Sequence, residues 1–438
     1  MFLLPNIIFG LILFFGIGFF VRNINKLKRN IKLGNDVSFT GSNKQRWINM
    51  AQIALGQSKM VTRPISGALH VIVYLGFIII NIEVLEIVID GLFGTHRIFS
   101  SIGPIYGILI GTFEVLAVLV LISVILFWFR RNIIKIKRFL SDEMKGWPKK
   151  DADYILYIEL VLMFLFLTMN ASDYWLQQHP EGQSYYTQAG HFPISGLLTP
   201  LFDGMTYATV VTIERTSWWL HIIGILAFLN YLYYSKHLHI ILAFPNTFYA
   251  NLNPLGRFSH SEAVANEVKL MMDSSADPYA SPAVESEPIS FGAADVKDLN
   301  RIQLMNAYSC TECGRCTDVC PANQTGKKLS PRKIMMDTRD RLEQVGKQLD
   351  RGLEVDDKTL LDHHISREEL WACTTCNACV EACPISIDPL SIIMDMRQYL
   401  VMEQSSAPSE LNAMMTNIEN NGAPWPFNQQ DRINWINE

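Results

Sequence analysis

Five stretches of the chain, about 2–21, 65–89, 104–129, 154–171 and 217–242, run apolar with almost no interruption. Each is long enough to cross the roughly 30 Å hydrocarbon core of a bilayer as a helix, which predicts an all-α bundle of five transmembrane helices. The fourth run is the shortest. The first has the length of a signal peptide, but basic residues follow it rather than precede it and no small-residue cleavage site is present, so it reads as a retained helix. After the fifth run the pattern changes. From Asn246 to about Lys297 the periodicity is lost, and the stretch from Asp273 to Glu287 is rich in Ser, Ala, Pro and acid, the composition of a linker. A charged helical pattern returns from Pro331 to Gly352, and the polar stretch from Ser405 to Glu438 carries the isolated aromatics Trp425, Phe427 and Trp435, which suit docking on a partner. The expected divisions are a membrane domain over 1–245, a linker over 246–297, a soluble domain over 298–402 and a docking tail over 403–438.

Composition agrees with a membrane protein, since 49% hydrophobic and only 18% charged residues is too apolar for a purely soluble chain. A net charge of −5 and the lack of a basic stripe with interleaved aromatics argue against nucleic acid as a partner. Loop 22–64 holds nine Lys or Arg against Asp36 alone, and loop 129–153 holds eight, whereas loops 90–103 and 172–216 hold one each, Arg97 and Arg215. Basic loops stay on the cytoplasmic side, so the N-terminus is expected outside and the end of the fifth helix inside a bacterial cytoplasmic membrane.

All eight cysteines fall into two copies of one pattern: Cys310, Cys313, Cys316 and Cys320 before Pro321, then Cys373, Cys376, Cys379 and Cys383 before Pro384. In a C-x2-C-x2-C-x3-C-P run three thiolates surround one [4Fe-4S] cluster and the fourth ligates the other. One cluster is therefore assigned to Cys310, Cys313, Cys316 and Cys383, the second to Cys373, Cys376, Cys379 and Cys320. Zinc ribbons use paired C-x2-C units and do not generate two such runs with a trailing proline. Thiolate clusters need a reducing compartment, which places this domain in the cytoplasm. More than fifty residues separate the motifs, so the domain is a helix-rich relative of ferredoxin.

Histidines in the apolar runs are the other candidate ligands. His70 lies near the inner start of helix two, His221 near the outer end of helix five, and His237 and His239 near its inner end. An imidazole in an apolar helix is a favoured haem ligand. At about 100° per residue His221 and His239 lie five turns apart on one stripe of helix five, about 27 Å along the axis, and His237 points to nearly the opposite side. His70 and His239 share one depth and can hold a b haem between them, with His237 as the substitute for His239; in the structural alternative they bond the backbone or reach the interface. A second haem at His221 lacks a partner on helix two, where the expected position falls near Ile80. Its substitutes would be His96, His179 or His191, and His221 could instead serve a quinone pocket. Glu83 and Glu86 on helix two and Glu114 on helix three are carboxylates in the bilayer, and Glu83 and Glu114 are the candidates for proton transfer to a quinone, against the plain alternative of hydrogen bonds to a neighbouring helix.

The run Trp218-Trp219-Leu220-His221 with Tyr234-Ser235-Lys236-His237-Leu238-His239-Ile240 resembles the membrane segment of heterodisulfide-reductase-related iron–sulfur oxidoreductases. So do Cys320-Pro321-Ala322, Thr325-Gly326-Lys327 and Leu329-Ser330-Pro331-Arg332. The five-helix part is similar to the haem b subunit of respiratory nitrate reductase, and the fused arrangement to electron transfer flavoprotein:menaquinone oxidoreductases. That resemblance implies haem ligation by His70, His221 and His239, menaquinone as the membrane substrate, and electron transfer flavoprotein or another soluble donor as a possible partner. The stretch Asn417-Ile418-Glu419, Pro424-Trp425, Arg432 and Trp435 resembles the segment before the paired cysteine-rich (CCG) domains of single-chain members. It implies a CCG-domain iron–sulfur subunit on a separate chain. Three functions stay open: a quinone oxidoreductase subunit, an anchor and relay without quinone turnover, and a haem-free tethered ferredoxin.

Overall fold

The computed structural model describes residues 3–37, 41–182, 185–258, 262–273 and 291–436. Two compact units are present. The first gathers Met1–Arg29, Gly41–Tyr249 and Tyr308–Gly314; the second gathers Asn30–Thr40, Ala250–Ala307 and Arg315–Glu438.

In the first unit the long helices are α1 (Leu3–Ile31), α2 (Pro64–Phe93), α3 (Pro104–Asn132), α4 (Trp147–Gln178) and α5 (Tyr207–Tyr231). Proline stands in the first turn of α2, α3 and α4, where its missing N–H costs nothing. The helices α1 to α4 are long and apolar enough to cross a membrane. The fourth apolar run, the shortest in sequence, lies inside the longest of these helices at 32 residues, because polar Asp151, Asp173 and Gln177 continue the helix and are buried in the bundle. The fifth expected span differs more. Its helix starts earlier, includes Glu214 and Arg215, and breaks after Tyr231: Ser235 leaves the helical region at φ −113° and ψ 158°, and a new short helix, α6 (His239–Phe248), begins at His239. Asp151 stabilises the break by accepting from the Tyr231 hydroxyl at 2.6 Å and from the Lys236 N–H at 3.1 Å. The five-turn spacing of His221 and His239 on one stripe therefore does not hold.

The bundle inverts the polarity of a soluble fold. Phe14 and Phe15 are 71% and 66% exposed on α1, while Glu83, Glu114, Asn170 and Asp173 are buried. Such a distribution suits hydrocarbon outside and satisfied polar groups within. Phe9, Ile80, Ile110, Phe113, Phe166 and Ile222 form the apolar centre where all five helices meet. Close approach is set by small residues: a side chain at Gly76 of α2 would collide with Val120 of α3, and one at Gly224 of α5 with Leu162 of α4.

The second unit is also helical; among the described residues it has the isolated bridges Asn35–Asn300 and Leu361–Ile365 and no strand. Its main helices are α7 (Pro331–Asp350), α8 (Pro389–Met402) and α9 (Ser409–Asn421). The expected charged helix from Pro331 is α7, started by Ser330, whose hydroxyl accepts from the Lys333 N–H. Its inner face buries Ile334, Met335, Leu342 and Val345. The fully buried Arg341 clamps Asp295 at 3.0 Å and Asp356 at 2.6 Å, fastening the segments before and after the helix to it. Residues 30–37 join this unit through backbone bonds from Asn35 N–H to Leu299 and from Arg301 N–H to Asn35. A helix, Glu262–Met272, occupies part of the expected linker; of the acidic Ser/Ala/Pro stretch only Asp273 lies within the described residues.

On α8, the part-buried Asp395 accepts from the Gln303 amide at 2.6 Å, and loss of solvent pushes its carboxyl up to about 6 despite that bond. A carboxyl that ionises at about 6 when folded and near 4 when unfolded adds stability as pH falls between those values, and its charge is a liability above them. Asp395→Asn is expected to stabilise this unit by ~1–2 kcal/mol at pH 7.5, and the advantage should vanish towards pH 4. Melting curves at both pH values check this; an unchanged or lowered midpoint at pH 7.5 would contradict it.

Candidate functional site

The two cysteine loops repeat one backbone shape. Glu312 and Thr375, each two residues after the first cysteine of its motif, sit at φ 55°, and Gly314 and Asn377, each following the second cysteine, at φ 73° and 60°. Left-handed φ at a branched threonine and a glutamate is costly, so both loops are held in a curled form by their surroundings. That curl turns backbone N–H groups inwards: Thr375 N–H points at Cys373 Sγ at 3.4 Å, and Ile387 N–H at Cys383 Sγ at 3.2 Å. Arg397 on α8 fixes the second loop from behind by donating to the carbonyls of Leu370 and Cys373 while lying over the Trp371 ring.

The fourth cysteine of the first motif approaches the second. Burial pushes the Cys379 thiol up, and Asp388, Cys373 and Cys320 add to it; Cys373 responds to burial and to Cys320 and Cys376 in the same sense. Cys320, Cys373, Cys376 and Cys379 therefore form one group, although 53 positions separate Cys320 from Cys373. Burial thus favours the thiol form of Cys373 and Cys379, and iron binding there releases protons. Among the described residues no three His, Cys, Asp or Glu side chains converge as a site for a single ion. None of the eight cysteines is in a disulfide.

Within the first unit, the structure brings His70 and His239 together, with ring centres 6.4 Å apart. Two imidazoles on opposite faces of one iron, with metal–nitrogen bonds of about 2 Å and half a ring on each side, require roughly 6 Å between centres. His239 is oriented by its Nδ1, 3.0 Å from the Lys236 carbonyl, leaving Nε2 for a metal. The pair fits the haem ligation expected of it. His237 lies beside it, its ring 5.4 Å from that of His239 and its Nε2 3.7 Å from Glu159. His221 is elsewhere, buried in the bundle with its ring against Phe166 at 5.8 Å. Of its possible partners, His179 stacks on Trp175 and His96 pairs with Asp173.

Lys236 was not singled out by sequence. Its part-buried ammonium donates to Glu312 at 2.6 Å and to the Pro148 carbonyl at 2.7 Å, while its own carbonyl faces His239. One residue thus touches both the Cys310–Cys313 loop and a candidate haem ligand.

Glu83 and Glu114 are both buried but differ in use. One Glu114 oxygen accepts from the N–H groups of Ile194 and Ser195 at 2.9 and 3.1 Å, anchoring the loop before α5. Glu83 pairs with Arg97 at 3.3 Å. Arg97 is the centre of a network missed in the sequence: it also binds Asp173 at 2.6 Å, Asn170 at 2.7 Å and the Tyr106 hydroxyl at 3.3 Å, and Tyr106 in turn donates to Glu86. The available signal was the isolation of one arginine among carboxylates on the preceding helix.

Residues 309–387, which contain every cysteine, match the 4Fe-4S dicluster domain family model. FadF of Bacillus subtilis, a probable iron–sulfur-binding oxidoreductase, is 28% identical over all of this chain and 61% of its own length. The EtfAB:quinone oxidoreductase of Syntrophomonas wolfei is 25% identical over 88% of this chain and 53% of its own, so the chain spans little more than half the length of such relatives. A probable membrane-anchored ferredoxin of Chromohalobacter salexigens is 30% identical over 33% of this chain and 24% of its own. No solved structure matches the chain. The relatives of this chain are thus iron–sulfur oxidoreductases or subunits of them, and the chain itself joins apolar helices to a ferredoxin-type domain for two [4Fe-4S] clusters.

Proposed function

We propose that the chain is the membrane subunit of a quinone oxidoreductase complex, passing electrons from a soluble donor through the two clusters and one b haem to menaquinone. The observation that carries this reading is the His70–His239 pair, with the spacing of two axial ligands in a unit built of apolar helices. In this reading the first cluster is held by Cys310, Cys313, Cys316 and Cys383, and the second by Cys320, Cys373, Cys376 and Cys379. Clusters and haem supply one-electron relays between two-electron chemistry at either end. Lys236 fixes the loop carrying Cys310 and Cys313 through Glu312, and orients His239 through its carbonyl. His237 stands by as a neighbouring imidazole, and His221 belongs to the quinone side. In this reading the N-terminus lies outside and the ferredoxin domain in the cytoplasm of a bacterial cell, an orientation that the basic loops support.

The donor would be a CCG-domain iron–sulfur subunit, itself fed by electron transfer flavoprotein or another soluble carrier. It would dock on the tail, where Phe427, Trp435 and Ile436 are largely exposed. One relative's description as a membrane-anchored ferredoxin favours a second reading, a tethered relay without haem or quinone turnover.

A pyridine haemochrome assay with total iron on the purified full chain separates the two. One b haem with about eight non-haem irons supports the first reading. His70→Ala and His239→Ala are each expected to remove the b-type absorbance while leaving cluster iron in place. A wild-type protein without haem supports the tethered ferredoxin, and full haem in both variants overturns the ligand assignment.

A further inference from the structure

A cavity of about 480 Å³ opens in the first unit between the start of α1, the end of α2, the loop after it, and the start of α5. Its walls are of two kinds. Tyr185, Tyr207, Trp218 and Trp219 supply flat aromatic surface, and the Arg97 network supplies buried charge. Two of the side chains that line it each carry a buried atom without a hydrogen bond. His96 bonds Asp173 through Nε2 at 2.9 Å, and its other nitrogen, Nδ1, is buried without a hydrogen bond. Glu83, 1% exposed, accepts from Arg97 at Oε1, while its Oε2 is buried and unbonded. Buried polar atoms without partners are rare in folded proteins and mark a place where something else completes them.

The tautomer at His96 follows from its partner. Asp173 accepts from Arg97 at 2.6 Å and from Gln177 at 3.2 Å, so its oxygens act as acceptors and His96 donates to it through Nε2–H, which leaves Nδ1 as the ring atom free to exchange a proton. Glu83 Oε2 is an acceptor when ionised and a donor when protonated. A ligand suited to this cavity is planar and aromatic, and carries two oxygens that exchange protons with two separate groups.

We propose that this cavity binds the head group of the membrane quinone, with His96 Nδ1 and Glu83 Oε2 as the two groups that exchange protons with its oxygens. This rests on the quinone reading above and deepens it. In the reducing direction the quinone takes two electrons, one at a time from the relay, and two protons, one from His96 when Nδ1 carries a proton and one from Glu83 in its protonated form. Both C=O groups become C–OH, and the two side chains regain protons from the solvent side. Asp173 and Arg97 are positioning residues, the first holding the His96 ring and tautomer, the second aiming the Glu83 carboxylate.

The test is equilibrium binding of a fluorescent hydroxyquinoline N-oxide to the detergent-solubilised full chain, followed by menadiol reduction of its clusters, read by electron paramagnetic resonance. His96→Gln and the near-isosteric Glu83→Gln are each expected to weaken binding at least tenfold and to slow menadiol reduction, while retaining the cluster signal on dithionite reduction, which bypasses the quinone and reports folding. Should His96→Gln lose that signal, Glu83→Gln alone decides. Wild-type binding that survives intact in the decisive variant overturns the cavity assignment and leaves the quinone reading standing. If the wild type neither binds the probe nor reacts with menadiol, the quinone reading itself fails.

Discussion

Replacing Cys320 by serine is expected to remove about half of the non-haem iron, and the lost half should be the cluster of the second motif rather than of its own. Cys320 is buried at the mouth of the short helix Pro321–Gln324, grouped with Cys373 and Cys379. Serine is a hard ligand and a poor substitute for a thiolate on iron. Double variants decide the wiring. With crossed ligation, Cys320→Ser added to Cys376→Ser costs no further iron beyond the single variant, whereas Cys320→Ser added to Cys313→Ser removes both clusters. If each motif fills its own cluster, the two outcomes exchange. Iron and acid-labile sulfide on the purified full chain read the result directly, and quinone reduction should be abolished in every variant that breaks the relay.

The cysteine motifs were legible because their chemistry is local: ligand spacing and the trailing proline are fixed by a few consecutive residues. The repeat of left-handed φ at Glu312 and Thr375 adds what spacing alone does not contain, a matching curl of the two loops. Apolar run length found α1 to α4 for the same reason, since hydrocarbon thickness sets one scale for all of them. The fifth helix was misjudged in its bounds and continuity. Polar Ser235-Lys236-His237 interrupts the apolar run at this point, but such a cluster reads equally as the inner end of a span, and the contact with Asp151, 84 positions upstream, that stabilises the break has no signal in the pattern.

The site residues divide along the same line. His70 and His239 stand out as imidazoles in apolar surroundings at one depth, and the structure pairs them even though the continuous helix used to place His239 is interrupted. Break and pairing are compatible because α6 restarts at His239 itself. Lys236 and Arg97 were less visible. A lysine at a helix end and an arginine in an outer loop both read as interfacial charges, and sequence has no signal for the partners that bury them. Glu83 and Glu114 looked alike as carboxylates in apolar helices; their difference lies in the loop at Ile194 and Ser195, whose N–H groups hold one oxygen of Glu114.

Arg97→Leu is expected to be the most damaging single change outside the metal sites, costing ~3–5 kcal/mol because it leaves buried carboxylates without their cation. Arg97 is 6% exposed and joins α2, α3 and α4 through Glu83, Tyr106, Asn170 and Asp173. Lysine would keep the charge but not the planar fork that reaches Asp173, Asn170 and Glu83 at once, so Arg97→Lys should recover only part of the loss. The mechanism makes a further demand. If uncompensated charge is the cause, neutralising the stranded groups in Arg97→Leu/Glu83→Gln/Asp173→Asn must restore stability above that of Arg97→Leu alone, a strongly non-additive result. Thermal unfolding of the detergent-solubilised chain, followed by intrinsic tryptophan fluorescence, measures all of these. A loss below about 1 kcal/mol for Arg97→Leu, or a triple variant less stable than the single one, would mean that the network does not hold these ends of α2, α3 and α4 together.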